Sequence, residues 1–136
     1  IYESGGFVLS DRYTSSNAVH QGSKLPDDEL PEFFGWLTDL EQVKMGLPKP
    51  DLVIYLDVDI DTSLARMKRR QDATDTKADI HERDVDYLTR CLRTANMAAD
   101  YFGWIRVAQK NGGVERSLED INDEIYGIVL NELKKG

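Results

Sequence analysis

The chain has 136 residues, enough for one domain with a real core; 40% are apolar and 31% charged, an ordinary composition for a domain folded in water. A net charge of −8 argues against binding a nucleic-acid polymer, which needs a basic face, and no apolar run is long enough to span a membrane or to read as a secretory signal. The one cysteine, Cys91, excludes an internal disulfide framework and a multi-cysteine metal site, so the cytoplasm is the default compartment.

The chain opens with Ile1 rather than methionine, and Phe7-Val8-Leu9 follows almost at once, ending at Ser10-Asp11-Arg12. This predicts a buried strand that delivers polar residues at its C-terminal end, and a chain that begins so close to such a strand reads as part of a longer one. Ser15 or Ser16 is expected to cap a short helix over about 17–24. Pro26-Asp27-Asp28 opens the next helix, in which Leu30, Phe33, Phe34, Leu37, Leu40 and Val43 recur at helical spacing until Gly46-Leu47-Pro48 stops it.

The run from Leu52 to Val58 is almost continuously apolar and predicts a central parallel strand buried on both faces. Asp61 is expected to cap a helix through about Arg70, with Leu64 and Met67 inward and Arg66, Lys68, Arg69 and Arg70 outward. Residues 71–79 are polar without apolar periodicity and read as a mobile loop. A long helix is predicted from Asp84 to Phe102, with Leu88, Cys91 or Leu92, Ala95, Ala98 or Ala99, and Phe102 on its buried stripe. Trp104–Ala108 reads as a third strand, Asn111-Gly112-Gly113 as a loop, and Ser117 as the cap of a last helix with Leu118, Ile121, Ile125, Ile128, Val129 and Leu133 inward. Strands separated by helices predict an α/β fold with a parallel sheet, in a single domain over 1–136. Three strands are few for so many helices, so further strands are expected before the first.

Asp11-Arg12-Tyr13 stands where an open parallel sheet binds ligands, beyond the carboxyl end of a strand. There an Asp can hold Mg²⁺ directly or through water, and an Arg can grip a phosphate with its two-pronged fork. Asn17, His20 and Gln21 follow along one short helix; Asn and Gln can read the edge of a pyrimidine, and a His can sit against a sugar. Arg66, Arg69 and Arg70 form a local basic cluster beside a polar loop in an acidic chain, which favours an anion site over a merely solvated helix face. Asp57 reads as fold support, with an approach to the phosphate site as the alternative; Cys91 reads as packing, as do Phe33, Phe34, Trp36 and Trp104, with stacking on a base as the alternative for Phe33 or Phe34.

Three blocks in order carry a resemblance. Asp11-Arg12-Tyr13 is followed by Ser16-Asn17-Ala18-Val19-His20-Gln21; Pro50-Asp51-Leu52 is followed by Leu56-Asp57-Val58 and then Leu64 and Arg66; Asp79-Ile80-His81-Glu82 is followed by Asp84 and Tyr87-Leu88. Together they resemble the C-terminal two-thirds of the thymidylate kinase family. The resemblance implies a three-layer fold like that of P-loop nucleoside-monophosphate kinases and transfer of a phosphoryl group from ATP to dTMP with Mg²⁺. It implies that Asp11 lies near the metal and the reacting phosphates, and that Arg12 binds the monophosphate with Tyr13 beside it. Asn17 and Gln21 would face thymine, Ser16 would support that pocket, and His20 would face the deoxyribose, where bulk disfavours a 2′-hydroxyl. Arg66, Arg69 and Arg70 would lie at the hinge of a lid over about 71–82 that includes Lys77. Relatives form two-fold dimers, so a homodimer is expected.

The family's G-x-x-x-x-G-K-[ST] phosphate loop does not occur within the 136 residues, and the lid block reads Asp79-Ile80-His81-Glu82 where many relatives carry Arg. The isolated chain is therefore expected to be weak or inactive. Two other readings stand beside the first: a kinase for another nucleotide or deoxynucleoside, and a non-catalytic domain that binds a nucleotide or a partner protein.

Overall fold

The computed structural model describes residues 2–74 and 82–135. A 3-10 turn at Tyr2–Ser4 leads through an extended segment to helix α1 (Ser15–Gly22). Helix α2 (Leu30–Thr38) is entered through a 3-10 turn at Asp27–Glu29 and continues as a π-helix over Asp39–Lys44. Strand β1 (Ile54–Asp57), helix α3 (Ile60–Thr74), helix α4 (Glu82–Phe102) and strand β2 (Ile105–Ala108) follow. The chain closes with a small hairpin, β3 (Lys110–Asn111) and β4 (Val114–Glu115), and helix α5 (Leu118–Lys135).

Strands β1 and β2 pair in parallel, from Ile54 opposite Ile105 to Asp57 opposite Ala108, and the crossover between them contains α3 and α4. The fold is α/β with a parallel sheet, as the alternation of apolar runs predicts. The core lies where α1, α2 and α4 meet: Ala18, Leu30, Phe34, Leu37 and Ala98 are buried together, with Leu25, Phe33, Met97 and Trp104 packed around them. The α1–α4 approach is close because small residues face it. Ala95, Ala98 and Ala99 are buried on α4, and a Cβ at Gly22 of α1 would come within 2.9 Å of the Thr94 methyl.

Several expectations are corrected. Phe7, Val8 and Leu9 form no strand and are 57%, 58% and 80% exposed, because no described strand offers them a ladder. Strand β1 is four residues long and half-buried rather than central, since its one ladder partner is β2. Helix α1 runs two residues ahead of the expected span, and Ser15 and Ser16 lie inside it; Thr14 holds the N-cap position without a side-chain bond. Helix α3 is capped by Asp59, not Asp61: its carboxylate accepts from the Thr62 N–H at 2.8 Å and the Thr62 hydroxyl at 2.9 Å. Those bonds and Lys110 hold the Asp59 carboxyl below the usual range. Helix α3 also continues through Thr74, so residues 71–74 are helical; the remainder of the expected loop, 75–79, lies outside the described residues.

The π-helical turn explains another miss. Its longer repeat shifts the buried face, so Val43 is 73% exposed while Glu41 is 7% exposed. Gly46 then ends the helix with φ of 66°, as a left-handed C-terminal glycine does. The expected loop at Asn111–Gly113 is a two-residue hairpin turn in which Gly112 and Gly113 take φ of 57° and 82°, a pair that glycines supply without strain. Ser117 caps α5, its hydroxyl accepting from the Asp120 N–H at 3.1 Å. On α5, Ile121 is buried, but Leu118 and Leu133 are 81% and 50% exposed, because the helix meets the rest of the fold along β2 over part of its length. Phe102 is 36% exposed at the end of α4, yet stacks on Trp104 with centroids 5.7 Å apart. Trp36 lies on the surface.

Phe34 and Thr94 set two stability tests. Phe34→Ala should cost about 3–5 kcal/mol in chemical denaturation, since the ring is fully enclosed. Thr94→Val should raise stability by about 1 kcal/mol, because the Thr94 hydroxyl is buried without a hydrogen-bond partner.

Candidate functional site

The turn before α1 is built around Arg12, which has φ of 68°. A left-handed backbone at a residue with a Cβ costs roughly 1–3 kcal/mol and persists only where its surroundings fix it. Two contacts do so. The Ser10 hydroxyl donates to the Arg12 carbonyl at 2.7 Å, and the Tyr13 hydroxyl donates to the Pro48 carbonyl at 3.0 Å. The turn is thus tied to the segment after α2, while the side chains of Asp11 and Arg12 stand in solvent.

From this turn α1 carries Ser16, Asn17, His20 and Gln21. Ser16 is half-buried. Asn17, Gln21 and Lys24 line one side of an open groove of about 560 Å³, and Leu25, Phe33, Trp36, Leu37 and Leu40 line the rest. Phe33 and Trp36 stack there with centroids 6.0 Å apart and planes 27° apart, an apolar wall suited to a flat ring. The Asn17 amide donates to Glu41 at 2.9 Å and keeps its carbonyl oxygen as an acceptor. The Lys24 ammonium donates to the Gln21 carbonyl oxygen at 3.0 Å. His20 flanks this row, its Nδ1 3.1 Å from the Tyr87 hydroxyl and 3.9 Å from the Cys91 sulfur.

The basic cluster forms a second group. On α3, Arg69 donates to both carboxylate oxygens of Glu115 at 3.0 and 3.2 Å, and Arg66 lies 3.8 Å from the same carboxylate. Arg66 also donates to the Gln109 side chain at 3.4 Å. Arg70 is exposed. Lys77 and the block Asp79-Ile80-His81 lie outside the described residues. Asp57 accepts from Arg106 at 3.3 Å, which fits its reading as fold support, and Cys91 is buried on α4 as packing.

Tested for a metal, the described residues gather no cluster of three or more His, Cys, Asp and Glu side chains. Asp11 alone, exposed beside Arg12, fits Mg²⁺ only as that ion is usually held, by one or two carboxylates with substrate phosphates and water completing its shell. Among the described residues no helix is long and apolar enough to cross a membrane.

Three further residues belong to this region: Glu41 and Glu115 are silent in the sequence, and Tyr87 stands there only as part of a block that carries the family resemblance. Glu41 enters through the π-helical turn, which apolar spacing does not reveal. Tyr87 reaches His20 from α4, across 67 positions of the chain. Glu115 reaches Arg66 and Arg69 only because the two glycines fold the hairpin back.

The described structure is an α/β domain with a polar helix face beside an apolar groove, next to an exposed Asp-Arg turn and a basic helix. The sequence profile of the thymidylate kinase family matches residues 2–121, and the chain belongs to that family. It is 34% identical to the thymidylate kinase of Thermomicrobium roseum over 136 residues, covering 98% of this chain and 59% of that protein. It is 30% identical to a probable thymidylate kinase of Thermococcus gammatolerans over 134 residues, covering 98% of this chain and 56% of that protein. The thymidylate kinase of Mycobacterium tuberculosis is 31% identical over 104 residues, covering 74% of this chain and 49% of that protein. The chain thus spans a little over half the length of the first two relatives. No solved structure matches it significantly.

Glu115 engages two of the three arginines of α3, Arg66 and Arg69, while Arg70 is exposed. Glu115→Gln should tighten tripolyphosphate binding about two- to fivefold by calorimetry, the worth of an exposed ion pair, and the gain should vanish when Arg69 is also changed to Ala.

Proposed function

We propose that this chain supplies the acceptor site and the lid-side helix of a thymidylate kinase, which transfers the γ-phosphoryl group of ATP to dTMP and yields dTDP and ADP. The observation that carries the reading is the folding of residues 11–21 into an exposed Asp-Arg turn followed by a helix whose Asn17 and Gln21 line an apolar groove. Family membership supports it, as do the names of the relatives.

Each residue has a role that follows from its chemistry. Arg12 grips the dTMP phosphate with two parallel N–H groups, and Tyr13 holds the turn that aims it. Thymine lies against Phe33 and Trp36, its imide N–H donating to the Asn17 carbonyl oxygen, with Gln21 beside it and Ser16 beneath. His20 borders the sugar. A phosphate oxygen of dTMP attacks the γ-phosphorus of ATP, the bond to the β-phosphate oxygen breaks, and ADP leaves; the attacking oxygen is already ionised, so no general base is needed. The difficulty is bringing two anions together, and converging cations remove it. Arg12 neutralises the acceptor, and Arg66, Arg69, Arg70 and Lys77 serve the donor phosphates. Asp11 would hold magnesium, which would supply positive charge to offset the negative charge of the donor phosphates. The lid that the family resemblance implies over about 71–82, which takes in the end of α3, would exclude water. In this reading the protein works in the cytoplasm as a homodimer, as the family resemblance implies.

Calorimetry of the folded chain with dTMP tests the acceptor site. Saturable binding is expected, weakened about 10- to 100-fold in Arg12→Ala, the worth of charge-assisted hydrogen bonds. A folded chain that shows no saturable dTMP binding would overturn the reading.

A further inference from the structure

We propose that Tyr87 on α4 is a positioning and specificity-determining residue for the nucleoside sugar, acting through His20. This deepens the acceptor-site reading and rests on it.

The geometry concerns one edge of one imidazole. The Tyr87 hydroxyl lies 3.1 Å from His20 Nδ1, and the two rings lie nearly parallel, 19° apart with centroids 6.5 Å apart. Cys91, one helical turn further along α4 and buried, brings its sulfur to 3.9 Å from the same nitrogen. The Nδ1 edge of His20 is therefore occupied by α4, and the Nε2 edge is left for a ligand. His20 stands one turn beyond Asn17 and next to Gln21, both of which line the groove.

A hydrogen bond at one ring nitrogen decides which nitrogen carries the proton. Tyr87 can donate because a phenol keeps its proton at neutral pH. With the Tyr87 O–H donating to Nδ1, the proton of neutral His20 sits on Nε2, the nitrogen that no described residue bonds. The same bond and the stacked ring hold the imidazole in one orientation. That matters for discrimination. A free ring would swing aside for an extra hydroxyl at little cost, whereas a held ring presents a clash that the ribose must meet in full. A sugar-facing His20 thus distinguishes deoxyribose from ribose only as firmly as Tyr87 holds it.

Tyr87→Phe tests this, because it removes the hydroxyl and keeps the stacked ring. Two readouts apply to the folded chain: the ¹⁵N shifts of His20, assigned by their loss in His20→Asn, and the ratio of affinities for dTMP and ribothymidine monophosphate. In Tyr87→Phe the Nδ1 and Nε2 shifts of His20 should converge as the two tautomers mix. The preference for dTMP should fall about three- to tenfold, the worth of one hydrogen bond, while preference for dTMP over dCMP and the melting temperature hold. If the wild-type chain discriminates between the sugars and Tyr87→Phe discriminates equally, with unchanged His20 shifts, the role of Tyr87 is overturned and the acceptor reading stands. If the wild-type chain binds neither monophosphate, the acceptor reading fails and takes the sugar role of Tyr87 with it.

Discussion

Arg106 ties the sheet to the longest helix, and much of the molecule is placed by that tie. From β2 its guanidinium donates to Asp57 on β1 at 3.3 Å, to the Asn96 carbonyl at 2.9 Å, to the Asn96 side chain, and to Asp100 on α4 at 2.9 Å. It also lies over the Tyr55 ring, 5.7 Å from its centroid. Five donors in a rigid fork can satisfy partners on two elements at once, in the fixed planar geometry that an ammonium lacks. With α4 fixed to the sheet, the helices packed on it take their places: α1 and α2 across the small-residue face, and α3 along its flank.

The groups expected to meet a ligand share a second property, which is that many already have protein partners. Glu41 holds one side of the Asn17 amide, Tyr87 holds one nitrogen of His20, and Glu115 holds Arg66 and Arg69. The first two partners engage a part of the side chain that the ligand does not need, so they orient it and reduce the ordering cost of binding. Glu115 differs, since it takes the same donors a phosphate would take. In the proposed reaction a donor phosphate would displace Glu115 from Arg66 and Arg69, while the acceptor would add contacts to α1.

The alternation of elements was legible in the sequence because burial leaves a periodic trace. The stripes of α2 and α4, the apolar run of β1, the stop at Gly46 and the cap at Ser117 all record local rules. What was not legible depended on partners elsewhere in the chain. Phe7-Val8-Leu9 has the composition of a strand, but a strand exists only with a ladder beside it. Asp59 and Asp61 are both plausible caps, and the choice fell to the one that Lys110 also engages. The π-helical turn altered the repeat on which the apolar pattern was counted, which exposed Val43 and buried Glu41. For the site, the residues of 11–21 were singled out by their chemistry together with the family resemblance, whereas Glu41, Tyr87 and Glu115 make contacts 24 or more positions away.

The parallel pairing of β1 and β2 has a consequence for how sequences of this kind can diverge. Ile54 meets Ile105, so about 50 residues of crossover separate partners whose register is set by the strands, by Arg106 and by the Asp59 cap. None of those anchors lies between Thr74 and Glu82. The entropy of closing a connection grows only as the logarithm of its length, about 0.6 kcal/mol for each doubling. Insertions or deletions between α3 and α4 therefore leave the strand register untouched and change stability little. The length of the crossover and the pairing of the two strands are thereby uncoupled, so that one can change while the other stays fixed.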